Sequence, residues 1–184
     1  MQMEIVIAGF GGQGVLFAGT VLARAAMIKK FHVTWFPSYG PEMRGGTANC
    51  TVIIADDEIG SPIERHPYGV IALNLPSWDK YESQVVSNGI LIVNSSLINR
   101  DIRRNDIKTF LIPASEIAEH IADRRLTNMV ALGAFLAKTQ ILPLDAVQQA
   151  FKFTLPKRHH KLLMANIQAL DEGYNIETQL AQGI

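Results

Sequence analysis

A glycine-rich loop set between an apolar run and a helical pattern constrains this chain more than any other feature. Met3 to Ala8 is short and continuously apolar apart from Glu4, the pattern of a strand covered on both faces. Gly9-Phe10-Gly11-Gly12-Gln13-Gly14 follows. The next stretch, Val15 to Lys29, carries Leu16, Gly19, Leu22, Ala23 and Ala26 at helical spacing, with Ala25 and Ala26 small enough for close helix-sheet contact. Strand, glycine turn and helix in that order predict the opening unit of a doubly wound α/β sheet. Gly9, Gly11 and Gly14 match the dinucleotide spacing formally, and such a loop lets backbone N–H groups approach a phosphate at the positive end of the following helix. A dinucleotide site also needs a ribose-binding carboxylate roughly 20 residues further on. After the loop no acidic residue occurs until Glu42, so the fold signal survives while the nicotinamide signal weakens. An ATP-type phosphate loop fits less well, because no Gly-Lys-Ser/Thr ends the motif.

The rest of the chain continues the alternation. Phe31 to Phe36 reads as a second strand, with Pro37 and Pro41 bounding a glycine- and proline-rich loop, and Thr47 to Ala55 reads as a third, stopped at Asp56-Asp57-Glu58. Gly69 to Leu75 is a core run, after which Pro76 and Ser77, the latter as N-cap, open a helix. Gly89 to Asn94 and Lys108 to Ile112 are further strands, separated by the polar crossing that holds Arg100, Asp101, Arg103, Arg104 and Asp106. Helices are expected from Pro113, from Thr127 or Asn128 to about Lys138, from Pro143 through Ala150, and after Pro156 to Gly173. Tyr174 to Ile184 reads as an arm or a frayed end. No repeat or long linker divides residues 1–184, so the expectation is one α/β domain: a mostly parallel sheet flanked by helices, with a helical C-terminal region.

Composition narrows the function classes. Seventeen basic and seventeen acidic residues cancel, which gives no global field for nucleic acid or an anionic membrane. The single cysteine, Cys50, sits in a strand-like run and reads as a buried structural thiol; alone it supplies neither a disulfide nor a metal cluster. No long apolar span and no basic leader precede the first strand, so a reducing cytoplasmic setting is expected. His159-His160 would point to different sides of a helix and so would not form a two-ligand metal site, and Ser38 and Ser61 have no local histidine and acid for nucleophilic chemistry. Trp35, Phe36 and Trp78 read as core or interface aromatics rather than stacking platforms.

The second loop has the composition of a site. Arg44 followed by Gly45-Gly46 places a bidentate donor beside backbone that a partner can approach closely, and Tyr39 and Glu42 add polar groups. Its bland reading is a surface Glu42–Arg44 pair on a glycine bend. In a doubly wound sheet both loops lie beyond the carboxyl ends of strands, where ligand crevices form.

With these residues in view, the chain resembles the gamma subunit, or the gamma domain of the fused enzymes, of the 2-oxoacid:ferredoxin (acceptor) oxidoreductase family. The resemblance rests on Gly9 to Val15, on Ala18-Gly19 and Leu22-Ala23, and on Pro37-Ser-Tyr-Gly-Pro-Glu-Met-Arg-Gly-Gly46. Ile59-Gly-Ser-Pro62 and Asn128-Met-Val-Ala-Leu-Gly133 add to it, and it covers about residues 1–170. It implies a single Rossmann-like domain that is noncatalytic by itself, within a complex that oxidatively decarboxylates a 2-oxoacid to an acyl-CoA. Thiamine diphosphate, Mg and iron-sulfur clusters are then expected in alpha, beta and delta-type partner subunits, with ferredoxin reached through the complex. No cofactor is expected to be held firmly by this chain alone. The implied role is in assembly and in the coenzyme A side of the active site, through Gly9, Gly11, Gly12, Gln13, Gly14, Tyr39, Glu42, Arg44, Gly45 and Gly46. An isolated chain could self-associate through surfaces meant for partners. The alternative readings are a stand-alone nucleotide-binding oxidoreductase and the small subunit of an indolepyruvate oxidoreductase.

Overall fold

A computed structural model describes residues 1–39, 47–63, 65–155 and 162–176, with the side chain of Tyr39 excepted. The helix start expected after Pro156 and the tail beyond Ile176 lie outside the described residues. Six strands form one sheet in the order β2-β3-β1-β4-β5-β6. They are β1 (Gln2–Phe10), β2 (His32–Tyr39), β3 (Thr47–Ala55), β4 (Gly69–Ala72), β5 (Ile90–Asn94) and β6 (Lys108–Ile112). β1, β4, β5 and β6 pair in parallel, as the alternating pattern predicts, whereas β3 lies antiparallel between β1 and β2. The expected strand-helix-strand unit is therefore present in direction, but its two strands are not neighbours. Chain length explains the inversion. Tyr39 and Thr47 are too close in sequence for a parallel crossover, which takes about a dozen residues, so β3 must return beside β2.

β2 extends past the predicted end at Phe36 and includes Pro37, which was expected to open the loop. Among the described residues β2 has a ladder partner on one side only, and an edge strand is where a residue without an N–H can sit.

Helices cover both faces, and their sides are set by strand alternation. Ile5, Ile7, Cys50, Val52 and Ile54 point to the face covered by α1 (Val15–Ile28). On that side also lie α3 (Ala114–Ile121), α4 (Thr127–Thr139), α5 (Leu144–Thr154) and α6 (Leu163–Asn175). Val6, Ala8, Val70 and Ala72 point the other way, against Trp78 and Tyr81 of α2 (Leu75–Tyr81). α1 is buried well beyond the predicted stripe, with Ala18 and Val21 fully covered, because α5 packs on its outer side; Phe17 and Phe151 stack with ring centroids 6.3 Å apart. The N-cap of α2 is Asn74, not Ser77: the Asn74 side chain accepts from the Ser77 N–H at 2.9 Å, and Pro76 falls inside the first turn.

The polar crossing between β5 and β6 is tied down by two arginines. Arg100 pairs with Asp79 and with Glu82 (2.6 Å) and lies over the Trp78 ring at 4.9 Å. Arg104 donates to the carbonyl oxygens of Glu82 (2.8 Å) and Val85 (2.7 Å) and binds Asp106, holding that carboxyl well below the usual range with help from the Ser87 hydroxyl.

Candidate functional site

The glycine loop ends in an α1 N-terminus without a side-chain cap and without an acidic residue in the first turn. Gly12 (φ 100°) and Gly14 (φ 71°) take left-handed backbone conformations that favour glycine. Gly12 is exposed, with open space where a Cβ would be, so its N–H and those of the first helical turn are the loop's outward-facing resource. Gly9 serves the interior instead: a Cβ there would meet Gln13 Oε1 at 2.6 Å and Val15 at 3.1 Å.

The Gln13 side chain braces the loop. Its Oε1 accepts from Phe10 N (2.6 Å) and from Asn74 Nδ2 (3.4 Å), while its Nε2 donates to Leu73 O (3.3 Å). Through these bonds the Gln13 amide joins the end of β1 to the end of β4. Those two ends form a switch point, because α1 leaves β1 toward one face of the sheet while α2 leaves β4 toward the other.

The opposite wall comes from the turn before α4, which sequence reasoning had not placed at the site. Asn128 Nδ2 donates to Gly14 O at 2.9 Å, and a Cβ on Gly14 would collide with that amide. Asn128 is 3% exposed, and its Oδ1 is buried with no hydrogen-bond partner among the described residues. Behind it, Asn94 at the end of β5 donates to Ser115 Oγ (2.9 Å) and accepts from Ser115 N (3.2 Å), and Thr127 Oγ1 approaches Ser115 Oγ at 3.3 Å. Asp123 accepts from Arg125 N (2.8 Å) and pairs with the Arg125 guanidinium (2.8 Å), which lowers the carboxyl's pKa; Arg124 pairs with Glu119 (2.6 Å). Both arginines are largely exposed, so these pairs hold their guanidinium groups weakly and leave them available to an anion.

Two cavities flank Gly12 and Arg125. One, of about 300 Å³, is bounded by Gly12, Gly14, Phe17, Leu126, Asn128 and residues of α6, and is mainly apolar. The other, of about 190 Å³, is bounded by Gly12, Gln13, Ser115, Arg124, Arg125 and Thr127 and is more polar. The pair offers an apolar seat and a donor-rich seat on either side of one exposed glycine amide, an arrangement suited to a ligand with both an apolar and an anionic part. Asn128 heads the Asn128-Met-Val-Ala-Leu-Gly133 stretch that supported the resemblance, but nothing in that stretch ties it to the glycine loop.

For the second loop, the described backbone fixes only where it starts and ends. Tyr39 pairs with Ala48, Ala48 with Gly9, and Thr47 with Phe10, so both ends meet the sheet beside the glycine loop. Glu42, Arg44, Gly45 and Gly46 lie outside the described residues, as does the side chain of Tyr39. Cys50, read as a structural thiol, is fully buried against α1: its Sγ lies 3.5 Å from Val15 O, and burial pushes its pKa up to about 12.

Comparison with known proteins agrees with this architecture. The family model for pyruvate ferredoxin/flavodoxin oxidoreductase matches residues 4–176. Subunit VorA of the ketoisovalerate oxidoreductase of Methanothermobacter thermautotrophicus is 36% identical over 97% of this chain, which spans 38% of that relative's length. Subunit KorC of the 2-oxoglutarate synthase of Methanocaldococcus jannaschii is 32% identical, with 98% of this chain and 96% of that protein covered. The crystal structure of a keto/oxoacid ferredoxin oxidoreductase gamma subunit from Geobacter sulfurreducens superposes with a TM-score of 0.80 at 29% identity, over 94% of this chain and 96% of that one. The chain therefore belongs to the pyruvate ferredoxin/flavodoxin oxidoreductase family, as a homologue of its gamma subunits.

Proposed function

We propose that this chain is the noncatalytic gamma subunit of a cytoplasmic 2-oxoacid:ferredoxin oxidoreductase that converts a 2-oxoacid to an acyl-CoA. The observation that carries the reading is the match to gamma-type relatives along almost the whole of both chains. In this reading thiamine diphosphate, Mg and the iron-sulfur clusters belong to alpha, beta and delta-type subunits. The gamma chain completes the assembly and receives part of coenzyme A.

The described residues fit an anionic, partly apolar ligand of that kind. The uncapped start of α1 offers amides from Gly12 onward, Arg124 and Arg125 offer positive charge, and Phe17 and Leu126 offer an apolar wall. Asn128, which lines the larger of the two cavities, has an Oδ1 that is buried without a hydrogen-bond partner among the described residues. Coenzyme A, when bound, supplies the thiol that accepts the acyl group; the chain's own residues hold and orient the carrier. Arg44, with Tyr39, Glu42, Gly45 and Gly46, is proposed to serve the same ligand or the seam with a partner.

The test is the intact complex carrying Arg44→Ala. Coenzyme A KM should rise about tenfold or more, or subunit recovery should fall, while the melting temperature of the isolated chain stays unchanged. Unaltered assembly and unaltered coenzyme A kinetics would remove Arg44 from the site. Calorimetric titration of the isolated chain with NAD(H), NADP(H) and FAD checks the stand-alone nucleotide-binding reading, which requires tight binding of one of them.

A further inference from the structure

Gly14 and Asn128 join the two walls of the candidate site directly, and a second connection joins the same walls from behind through uncharged side chains. Its hub is Asn94, at the carboxyl end of β5 and 0% exposed. Toward the glycine loop, Asn94 Nδ2 donates to Leu73 O at 3.4 Å, the same carbonyl that accepts from Gln13 Nε2 at 3.3 Å. Toward the other wall, Asn94 meets the first turn of α3. Pro113 stands at the N-cap of that helix and offers no side-chain acceptor, so the Ser115 N–H is met from β5 instead, by Asn94 Oδ1 at 3.2 Å. Asn94 Nδ2 also donates to Ser115 Oγ at 2.9 Å. Two hydroxyls carry the connection on. With one hydrogen each, the arrangement that meets every acceptor has Ser115 donating to Thr127 Oγ1 (3.3 Å) and Thr127 donating to Arg124 O (2.6 Å). The turn held in this way carries Arg124 and Arg125 to the polar cavity.

Asn94, Ser115 and Thr127 are each 3% exposed or less, and both polar atoms of the Asn94 amide are used. An apolar layer at the strand ends would hold these elements together by buried area, which is non-directional; bonds in a dry, satisfied network also fix their separation. Capping of α3 accounts for the bond to Ser115 N but not for the bond to Leu73 O, which points back to the glycine loop. Gln13, Ser115 and Thr127 line the polar cavity, whereas Asn94 lines neither of the two cavities, so Asn94 acts on a ligand there only through its neighbours.

We propose that Asn94 is a positioning residue: through Leu73 O and Gln13 on one side, and Ser115 and Thr127 on the other, it sets the spacing between the Gly12 amide and the Arg124–Arg125 turn, and with it the affinity for the anionic carrier. This rests on the reading of the site as the coenzyme A side of the complex.

The test uses the intact complex with this chain as wild type, Asn94→Leu and Ile90→Ala. Leucine keeps the branched outline of asparagine and removes its hydrogen bonds, while Ile90, buried at the amino end of the same strand, reports what loss of packing alone does. Asn94→Leu should raise the coenzyme A KM about tenfold while kcat at saturating coenzyme A stays within about twofold of wild type, and Ile90→Ala should leave that KM unchanged. Amide hydrogen exchange of the full chain gives a second readout that stands even if Asn94→Leu does not fold. Ser115→Ala is a milder change confined to the Arg124 wall. It should speed exchange about threefold or more not only at Arg125 and Leu126 but also at Phe10 and Gln13, because the loosening passes through Asn94. A wild-type KM in Asn94→Leu, an equal rise in Ile90→Ala, or faster exchange in Ser115→Ala at Arg125 and Leu126 alone would overturn the positioning role and leave the coenzyme A reading standing. A wild-type complex whose turnover is indifferent to coenzyme A would overturn that reading and the positioning role with it.

Discussion

Gly14 and Asn128 hold each other in place across 114 positions of sequence, and neither residue is explained without the other. Gly14 supplies the left-handed turn that starts α1 and the space that the Asn128 amide fills. Gly14→Ala should therefore destabilise the domain by about 2 kcal/mol or more, from the strained φ together with the collision. Asn128→Ala removes one hydrogen bond to a carbonyl that still accepts from Ala18 N, and should cost about 1 kcal/mol. Combined, the two changes should cost less than their sum, because the collision is gone; denaturant unfolding of the single and double variants measures this coupling, and strict additivity would mean that the contact is not as described. Cys50 gives a second check at this scale. Its thiol is shifted by burial from 9.0 to about 12, only partly offset by a hydrogen bond with Trp35. A raised folded-state pKa means that the contribution to stability is complete below pH 9 and is lost as pH rises toward 12. The thiol should resist alkylation at neutral pH and react fully in guanidinium chloride, and Cys50→Ala should flatten the alkaline fall in stability. Ready labelling of the folded chain would contradict the burial.

At the level of elements, the pairing of α4 with α6 makes the sharpest demand on sequence. A Cβ at Gly133 would land on the Leu170 carbonyl oxygen, and one at Gly173 on the Val130 carbonyl oxygen, so the two backbones meet where each helix lacks a side chain. Gly133→Ala or Gly173→Ala should lower stability by about 2 kcal/mol or more despite the better helix propensity of alanine. Gly60→Ala, at a loop position with open space around it, should change stability by no more than about 0.5 kcal/mol. Thermal or denaturant melts of the three variants decide it, and a neutral Gly173→Ala would show that the helices have room to separate. This contact also marks a limit of sequence reading. Apolar periodicity placed α4 within a residue, yet nothing in that period says which distant helix supplies the matching glycine. The same holds for β2: proline and glycine content argued for a loop from Pro37, but an edge strand tolerates proline, and the ladder to β3 carries it on to Tyr39.

For the whole molecule, strand and helix alternation made the α/β class legible, and the glycine loop marked one wall of the candidate site. Position in the sheet was less legible. The antiparallel insertion of β3 follows from the short connection after Tyr39, a constraint of chain length rather than of residue type. The second wall, Arg124 to Asn128, comes from a turn far along the chain and reaches Gly12 only through the packing of α4 beside α1. The central claim concerns division of labour among subunits, and reconstitution tests it most directly. The purified chain, the purified partner subunits and the two combined are each given a panel of 2-oxoacids with thiamine diphosphate, coenzyme A and ferredoxin, and ferredoxin reduction is followed. The account predicts no turnover by the chain alone and coenzyme A-dependent turnover that is restored when the chain is added to its partners. Turnover by the chain alone, or partner activity that is unchanged by its addition, would contradict it.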